Sequence, residues 1–293
     1  MSTIVKTIVA TGATSGIGFE LIKQLLGQTQ PYKLILGARD IPRTQAAYDD
    51  IDYDSSKHDL TLVPLELNNM TSVKGFAKQT LESLGQSPID ILVLNAATGM
   101  AKQKAEKGPF GSRWTEAYVV NHLSQHYLLH LLRPKLEESK TRVVVVSSGA
   151  ICQVSDTSTL ENEMLSVTEP GPWIYPATKF IQFVNAQWWR RQLLGKCDVV
   201  GVSPGLIPHT GLGRGSGMTI PANLPDAKSI PEGAQSIYRA FAEPIPQDPE
   251  QIFLTSWGEW WPKDVYELSL DQKLQDKWSP PQEVIEKEEG VTA

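Results

Sequence analysis

The sequence predicts an α/β fold, in which helices cover both faces of a doubly wound parallel β-sheet within a single domain. Two observations predict it. Short apolar runs rich in β-branched residues recur along the chain, which is typical of strands buried on both faces. Longer segments with helical periodicity separate these runs, and crossovers of that length allow the strands to run parallel.

The elements follow one another in a regular order. Seven runs are predicted to be strands: residues 7–10, 33–36, 61–65, 89–94, 142–146, 198–202 and 251–255. Four segments between them are predicted to be helices: residues 19–26, 72–84, 114–132 and 179–194. Residues 155–173 and 211–228 are predicted to be loops, because the first lacks periodicity and the second is rich in Gly and Pro. Residues 279–293 combine a Pro pair with dense charge, which predicts a short helix and a frayed tail.

Composition bounds the domain count and excludes several classes of function. The chain has 293 residues, 41% of them hydrophobic, and no break that resembles a linker, so we expect one domain over residues 1–293. The formal net charge is −6 with no basic stripe, which argues against a nucleic-acid partner.

The same survey indicates where the protein is found. No apolar run approaches the roughly 20 residues that span a bilayer, so no membrane span is expected. The first predicted strand begins almost at Met1, which leaves no room for a secretory signal. The two cysteines, Cys152 and Cys197, cannot form the disulfide framework of a small secreted protein. These observations favour a cytoplasmic location.

A glycine-rich turn follows the first predicted strand and opens the first predicted helix. Glycines at such a turn let the backbone approach a pyrophosphate, whose charge is favoured at the helix N-terminus. A plain structural turn is the alternative, but its place in the first strand–helix unit favours dinucleotide binding. The predicted contacts are Gly12, Thr14, Ser15, Gly16, Ile17 and Gly18.

The end of the second predicted strand indicates which dinucleotide is bound. Arg39 stands there, and a guanidinium suits a ribose 2′-phosphate, whereas an acidic residue would suit a free 2′-hydroxyl. We therefore predict that NADP(H) is preferred over NAD(H). Asp40, one position further on, is a candidate ribose acceptor and leaves NAD(H) open. A solvated loop with no ligand is the third interpretation.

Further motifs follow in a fixed order along the chain. They are Asn95-Ala96 at the fourth strand end, Asn121 on the next helix, Ser147-Ser148 after the fifth strand, Tyr175-x-x-x-Lys179 on the following helix, and Pro204-Gly205 after the sixth strand. Together with the glycine turn, this set resembles the short-chain dehydrogenase/reductase family over nearly the whole chain. The pieces Gly-Ala-Arg-Asp and Val-Asn-His-Leu resemble its retinol dehydrogenase and protochlorophyllide reductase branch.

The resemblance implies a Rossmann-type fold and a set of site residues. It implies a cofactor half of about residues 1–145, a catalytic and substrate half of about residues 146–278, and a tail of residues 279–293. The catalytic residues that it implies are Asn121, Ser148, Tyr175 and Lys179. The further cofactor contacts are Glu66, Leu67, Asn95, Ala96, Tyr175, Lys179, Pro204, Gly205, Ile207 and Thr210.

Four positions depart from the family pattern. Glu66 stands where the family usually has an aspartate near the adenine. Leu94 and Ala97 depart from the Asn-Asn-Ala-Gly strand end of the family. Leu206 stands where plant protochlorophyllide reductases carry a cysteine, so photoreduction of a porphyrin is not expected.

Tyrosine is a poor proton donor near neutral pH unless its surroundings lower its pKa of about 10. Tyr175 and Lys179 are four residues apart on one helix face, so the ammonium is expected to lower the phenol pKa. Ser148 can hold the substrate oxygen, and Asn121 resembles the family residue that holds a water linking the lysine to solvent. The alternative for Tyr175 and Lys179 is an ordinary helix start with a solvated lysine.

His122, His126 and His130 recur every fourth residue, which places three imidazoles on one helix face. Such spacing can bind a metal, but the helix carries no Asp or Glu ligand in register. We expect no metal, and packing or surface hydrogen bonding is the favoured interpretation.

The substrate is expected to be a small apolar carbonyl or alcohol, either polycyclic or of polyketide or isoprenoid type. Loops at the carboxyl ends of the strands carry apolar and aromatic residues that suit such a molecule. The candidate pocket residues are Trp114, Trp173, Leu212 and Met218. Packing of these residues against one another, without a ligand, is the alternative.

Two rival functions remain open from sequence alone. One is a cofactor-binding scaffold without turnover, against which the retention of all four catalytic residues argues. The other is an enzyme of this family that isomerises, cyclises or reduces a carbon–carbon double bond. A preference for NADP(H) favours the direction of carbonyl reduction in a reducing cytosol. We therefore expect a ketoreductase. The family resemblance also implies pairing through the helices of Asn121 and Tyr175, which leaves a homodimer or a homotetramer open.

Overall fold

Seven strands form one parallel sheet in the order β3-β2-β1-β4-β5-β6-β7 in a computed structural model of the chain. The structure describes residues 5–99, 108–165, 174–208, 210–213 and 224–292. The strand order reverses between β1 and β4, and ligands of open α/β sheets bind at such a switch point, outside the carboxyl ends of the strands. The strands are β1 (Lys6–Thr11), β2 (Tyr32–Ala38), β3 (Asp59–Pro64), β4 (Ile91–Leu94), β5 (Arg142–Val146), β6 (Asp198–Val202) and β7 (Phe253–Leu254).

Ten α-helices are found in the described part of the chain. They are α1 (Gly16–Leu26), α2 (Ile41–Asp49), α3 (Met70–Leu84), α4 (Glu116–Tyr118), α5 (Ser124–Ser139), α6 (Leu160–Met164), α7 (Ile174–Gln192), α8 (Ile230–Arg239), α9 (Gln272–Lys277) and α10 (Gln282–Glu288). A π-helical turn, Val119–Leu123, joins α4 to α5, and 3₁₀ turns span Pro109–Gly111, Gly149–Gln153, Gly211–Gly213 and Lys263–Leu270. No described helix is both long and apolar enough to cross a membrane.

Helices cover both faces of the sheet, as the sequence predicts. Alternate residues of β1 belong to two separate cores: Val9 packs with residues of α3, α5 and α7, whereas Ile8 and Ala10 pack with residues of α1, α2 and α8. All three side chains are buried. Because a strand turns successive side chains to opposite faces, burial of both sets explains the nearly continuous apolar runs.

The predicted helix over residues 114–132 is not continuous. It is divided into α4, the π turn and α5, which ends at Lys140 in a left-handed conformation with a φ of 54°. A single π turn inserted in a helix often marks a functional site. Here the turn contains Asn121.

The expected short helix is found as α10, and residues 279–292, the described part of the expected tail, are held to the domain instead of frayed. Ile285 of α10 is buried in the larger core. The Tyr127 hydroxyl donates a hydrogen bond of 2.7 Å to Glu286, and the Ser112 hydroxyl donates one of 2.9 Å to Glu289. Apolar burial and side-chain hydrogen bonds therefore hold this segment to the domain.

Candidate active site

The glycine turn between β1 and α1 leaves no room for side chains at two positions. Gly12 has a φ of 67°, and a Cβ built on it would lie 2.6 Å from the Ala96 Cα. A Cβ on Gly18 would lie 2.1 Å from the Gly12 carbonyl oxygen. Both distances are far below van der Waals contact, so the turn requires glycine there. The free N–H groups at the start of α1 thus remain open to an anion.

The end of β4 is bonded directly to this turn. The Asn95 side-chain amide donates to the Gly12 carbonyl at 2.8 Å. The backbone N–H groups of Asn95 and Ala96 donate to the Thr11 hydroxyl at 3.1 and 3.2 Å. The structure therefore brings the predicted residues Asn95 and Ala96 against the predicted glycine turn.

Tyr48 on α2 is a support of the turn that the sequence motifs do not reveal. Its hydroxyl donates a 2.6 Å hydrogen bond to the Ala13 carbonyl, and its ring packs 4.9 Å from that of Phe19. Burial raises the pKa of the Tyr48 phenol, so it stays a neutral donor. The contact joins residues 35 positions apart, and no local pattern announces it.

Arg39 and Asp40 lie together at the end of β2 but are used differently. The Arg39 side chain is exposed. Asp40 caps α2 by accepting a 3.1 Å hydrogen bond from the Arg43 backbone N–H. Arg43 itself is exposed on the first turn of α2, so it adds a second guanidinium at this edge. The local charge therefore favours a phosphate.

The predicted adenine contacts follow β3. Glu66 is partly exposed, and its backbone N–H donates to the Ser72 hydroxyl at 2.9 Å. Leu67 is buried in the core. The described contacts of these two residues are thus structural ones.

Ser148, Tyr175 and Lys179 gather at the carboxyl end of β5. The Lys179 ammonium donates a 2.6 Å hydrogen bond to the carbonyl of Val146, the last residue of β5. The Ser148 hydroxyl accepts a 3.1 Å hydrogen bond from the Ala150 N–H. Burial raises the pKa of the Tyr175 phenol, and a side-chain hydrogen bond with Ser148 opposes that rise.

The surroundings of the Tyr175 phenol differ from the expected ones. Lys179 was expected to lower the Tyr175 pKa, yet the group that lowers it in this structure is Ser148. Burial also lowers the Lys179 pKa to about 7, because desolvation disfavours the ammonium.

Asn121 is fully buried and bonded on both sides of its amide. Its oxygen accepts from the Thr98 N–H at 2.7 Å, and its nitrogen donates to the Thr98 carbonyl and the Thr178 hydroxyl, both at 3.0 Å. The Thr178 hydroxyl donates in turn to the Tyr175 carbonyl at 2.9 Å. Asn121 therefore links the loop after β4 to the helix turn of the tyrosine.

Gln125 is a second buried amide beside this network that sequence reasoning missed. Its nitrogen donates to the carbonyls of Ala96, Val120 and Asn121 at 3.0, 3.2 and 3.1 Å. These contacts hold the π turn against the end of β4. Two of the three carbonyls, those of Val120 and Asn121, belong to the π turn, which no motif of the sequence predicts.

The loop after β6 folds back over the glycine turn. Gly205 has a φ of 91°, and the Thr210 methyl group lies 3.8 Å from a Cβ built on Gly16. The Ile207 side chain is buried and would lie 2.6 Å from a Cβ on Gly233. The predicted cofactor residues of this loop are thereby placed on the same side of the sheet edge as the glycine turn.

The two predicted pocket residues that the structure describes, Trp114 and Leu212, lie in different surroundings. Trp114 is buried, with its ring 4.7 Å from Tyr118 and 6.2 Å from Trp278, so it packs in the core. The Leu212 carbonyl lies 2.1 Å from a Cβ built on Gly99, in the loop after β4. Trp173 and Met218 lie outside the described residues.

The three histidines of α5 and the π turn are packed together. The His126 Nδ1 accepts from the Trp189 indole N–H at 2.9 Å and contacts the Asn185 amide at 3.0 Å. Because Trp189 can only donate, the proton of His126 is on Nε2, which donates to the Pro280 carbonyl at 2.8 Å. His122 stacks on His126 at 5.8 Å. Packing and hydrogen bonding, the favoured interpretation, is what the structure contains.

Comparison with known proteins identifies the family. The family model for short chain dehydrogenase matches residues 6–158. The chain belongs to the short-chain dehydrogenase/reductase family. It is therefore a member of an oxidoreductase family that uses a nicotinamide cofactor. Short-chain dehydrogenase/reductase GME11359 of Pestalotiopsis microspora is 56% identical over 292 residues, 97% of this chain and 99% of that protein.

More distant members of the short-chain dehydrogenase/reductase family match over less of the chain. Dehydrogenase/reductase SDR family member 13 of Homo sapiens is 33% identical over 149 residues, 50% of this chain and 37% of that protein. Among solved structures, an NADPH-bound carbonyl reductase from chicken fatty liver superimposes with a TM-score of 0.67 at 21% identity, over 88% of this chain and 94% of that one. This last likeness establishes the fold.

Proposed function

We propose that this protein is an NADP(H)-dependent ketoreductase or alcohol dehydrogenase acting on an apolar carbonyl or secondary alcohol. The observation that carries the proposal is the meeting of Ser148, Tyr175 and Lys179 at the end of β5, with Asn121 bonded to the same helix turn. Packing alone does not need this set. The NADPH-bound carbonyl reductase among its structural neighbours supports the same proposal.

The residues present fit a nicotinamide dinucleotide. Gly12 and Gly18 form a cradle that any Cβ would fill, and the N-terminus of α1 opens onto it. Asn95, Tyr175 and Lys179 are proposed to hold the nicotinamide half. When bound, the cofactor donates or accepts the hydride at the substrate carbon.

Residues of this chain would supply the proton that the substrate oxygen takes up. The Ser148 hydroxyl would bind the substrate oxygen, and the Tyr175 phenol would donate its proton to that oxygen as it gains charge. Lys179, with a pKa lowered to about 7, would return a proton to the phenolate. Asn121 would act through position, because both sides of its amide are already engaged by Thr98 and Thr178.

NADP(H) preference is proposed from Arg39 and Arg43. Both guanidinium groups are exposed beside the end of β2, where the 2′-phosphate of a dinucleotide would lie. Asp40, the candidate acceptor for an NAD(H) ribose, uses its Oδ1 to cap the start of α2.

The test is deuterium transfer from stereospecifically labelled NADPH to a panel of apolar ketones and enones. We expect deuterium on the carbinol carbon with the native protein. Tyr175→Phe should lower kcat by about 10²- to 10⁴-fold, the usual contribution of a positioned acid, while the NADPH dissociation constant stays unchanged. Deuterium on a former alkene carbon would overturn ketone reduction, and an active Tyr175→Phe variant would exclude that phenol as the donor.

A further inference from the structure

A tight turn after β7 brings tryptophans to the edge of the sheet where the catalytic residues lie. We name residues 255–261 the tryptophan turn. The chain reverses there, since the Thr255 N–H donates to the Glu259 carbonyl at 2.8 Å and the Trp261 N–H donates to the Phe253 carbonyl at 2.8 Å. Gly258 completes the reversal with a φ of 97°.

Trp261 lies beside the predicted catalytic serine. A Cβ built on Gly149, the residue after Ser148, would be 4.0 Å from the Trp261 ring. The ring is stacked on Phe253, with centroids 5.8 Å apart and planes 20° apart. Backbone pairing and stacking therefore hold the indole beside Gly149, the residue that follows Ser148.

The other side of the tryptophan turn is joined to the loop after β6. The Ser256 hydroxyl donates to the Asp226 carboxylate. The Asp226 carbonyl accepts from the Leu206 N–H at 2.9 Å, directly after the predicted cofactor residue Gly205. The turn thus spans the distance between the catalytic serine and the cofactor loop.

Trp257 stands at the tip of the turn with 49% of its surface exposed. Its ring is 5.7 Å from that of Trp261, and its indole N–H donates to the Glu259 carboxylate at 2.9 Å. This hydrogen bond orients a large apolar ring toward solvent at the sheet edge.

We propose that Trp257 and Trp261 determine substrate specificity, and that the substrate is a neutral, flat aromatic ketone or the corresponding carbinol. This inference rests on the proposed function. The aromatic ring would stack on Trp257, with the carbonyl end between Trp261 and Ser148. Aromatic pairs bind about 2- to 13-fold more tightly than their buried area alone provides. The Glu259 carboxylate at the edge of Trp257 would repel an anionic substrate.

The test compares two ketones of the same ring skeleton, flat 1-tetralone and its saturated analogue 1-decalone. We expect Trp257→Leu to raise the KM for 1-tetralone by about 2- to 13-fold, with little change for 1-decalone, since leucine keeps an apolar surface but removes the ring. Trp257→Phe should retain the preference for 1-tetralone. The NADPH dissociation constant should be unchanged in both variants.

Leu194→Ala is the matched control, because Leu194 is exposed beyond the end of α7 and should leave both KM values unchanged. An equal rise for both ketones, or none for either, in Trp257→Leu would overturn the proposal. If the native protein binds NADPH but reduces neither ketone, the ketoreductase function fails. In that case ketone binding to the NADPH complex, measured by saturation-transfer NMR with the same variants, decides the role of Trp257 separately.

Discussion

At the scale of single residues, Arg39 is the position on which the proposed preference for NADP(H) rests. A charge-assisted hydrogen bond from a guanidinium contributes about 1.5–3 kcal/mol, or about 10- to 150-fold in affinity. We expect Arg39→Ala to weaken NADPH binding by that factor while leaving NADH binding nearly unchanged. Fluorescence titration with both nucleotides measures it.

The control for this change is Arg133→Ala, because Arg133 pairs with Glu137 on α5 at 2.8 Å, away from the glycine turn. It should affect neither nucleotide. Equal weakening of NADPH and NADH by Arg39→Ala would remove the phosphate role. A residual NADPH preference in that variant would direct attention to Arg43.

The candidate residues that the sequence indicated stand in short motifs, and the family resemblance gave these motifs their roles. Tyr175 and Lys179 are four residues apart, and the structure places both at the end of β5. Tyr48 and Trp261 act across the fold and have no such spacing. The sequence does contain a signal for Trp261, since three tryptophans fall within residues 257–261, just after a predicted strand.

At the scale of elements, the strands were easier to predict than the helices. Strands buried on both faces give continuous apolar runs, and all seven predicted runs overlap observed strands. Helices α2, α6, α8 and α9 were not predicted, and α6 lies within residues 155–173, which were predicted to be a loop. Two of them carry start signals, since Asp40 caps α2 and Ser229 forms a capping box with Glu232 at α8. The π turn was beyond reach, because it depends on the tertiary contacts of Asn121 and Gln125.

The histidines around α5 make stability depend on pH. Burial lowers the pKa of His122 to about 3 and lowers that of His126 well below its ordinary value. An unfolded histidine has a pKa of about 6.5, so below that pH the unfolded chain takes up protons that the folded chain excludes. We therefore expect the free energy of unfolding to fall by up to about 1.4 kcal/mol per pH unit and per histidine as pH drops from about 6.5 to 5.

Urea unfolding at pH 7.5, 6.5, 5.5 and 5.0 measures this dependence. His122→Leu is the informative variant, because leucine fills an apolar site and cannot titrate. Its curve should be flatter than that of the native chain, whatever its stability at pH 7.5. A slope equal to the native one below pH 6.5 would show that His122 is not a source of the effect.

At the scale of the whole molecule, the C-terminal segment packs on α5 and on α7, the helix of the proposed catalytic residues Tyr175 and Lys179. Fifteen of the nineteen residues of α7 are buried. On the side away from the sheet, the Asn185 amide donates to the Ser279 hydroxyl at 2.8 Å, and His126 is bonded to Pro280. The side chain of Trp278 is also buried there. The segment therefore occupies the helix faces through which members of the family were expected to pair.

This enclosure predicts a monomer, in place of the homodimer or homotetramer that the resemblance left open. A second copy could reach α5 and α7 only by displacing Trp278 and α10, and a stable interface needs about 800 Å² from each partner. Light scattering coupled to size exclusion should give a mass near 32.4 kDa at micromolar concentration.

Trp278→Ala should lower the unfolding temperature, and any dimer formed only by that variant would identify the uncovered helices as the latent interface. A native dimer that persists in Trp278→Ala would instead pair through another surface, and would contradict the role assigned to this segment.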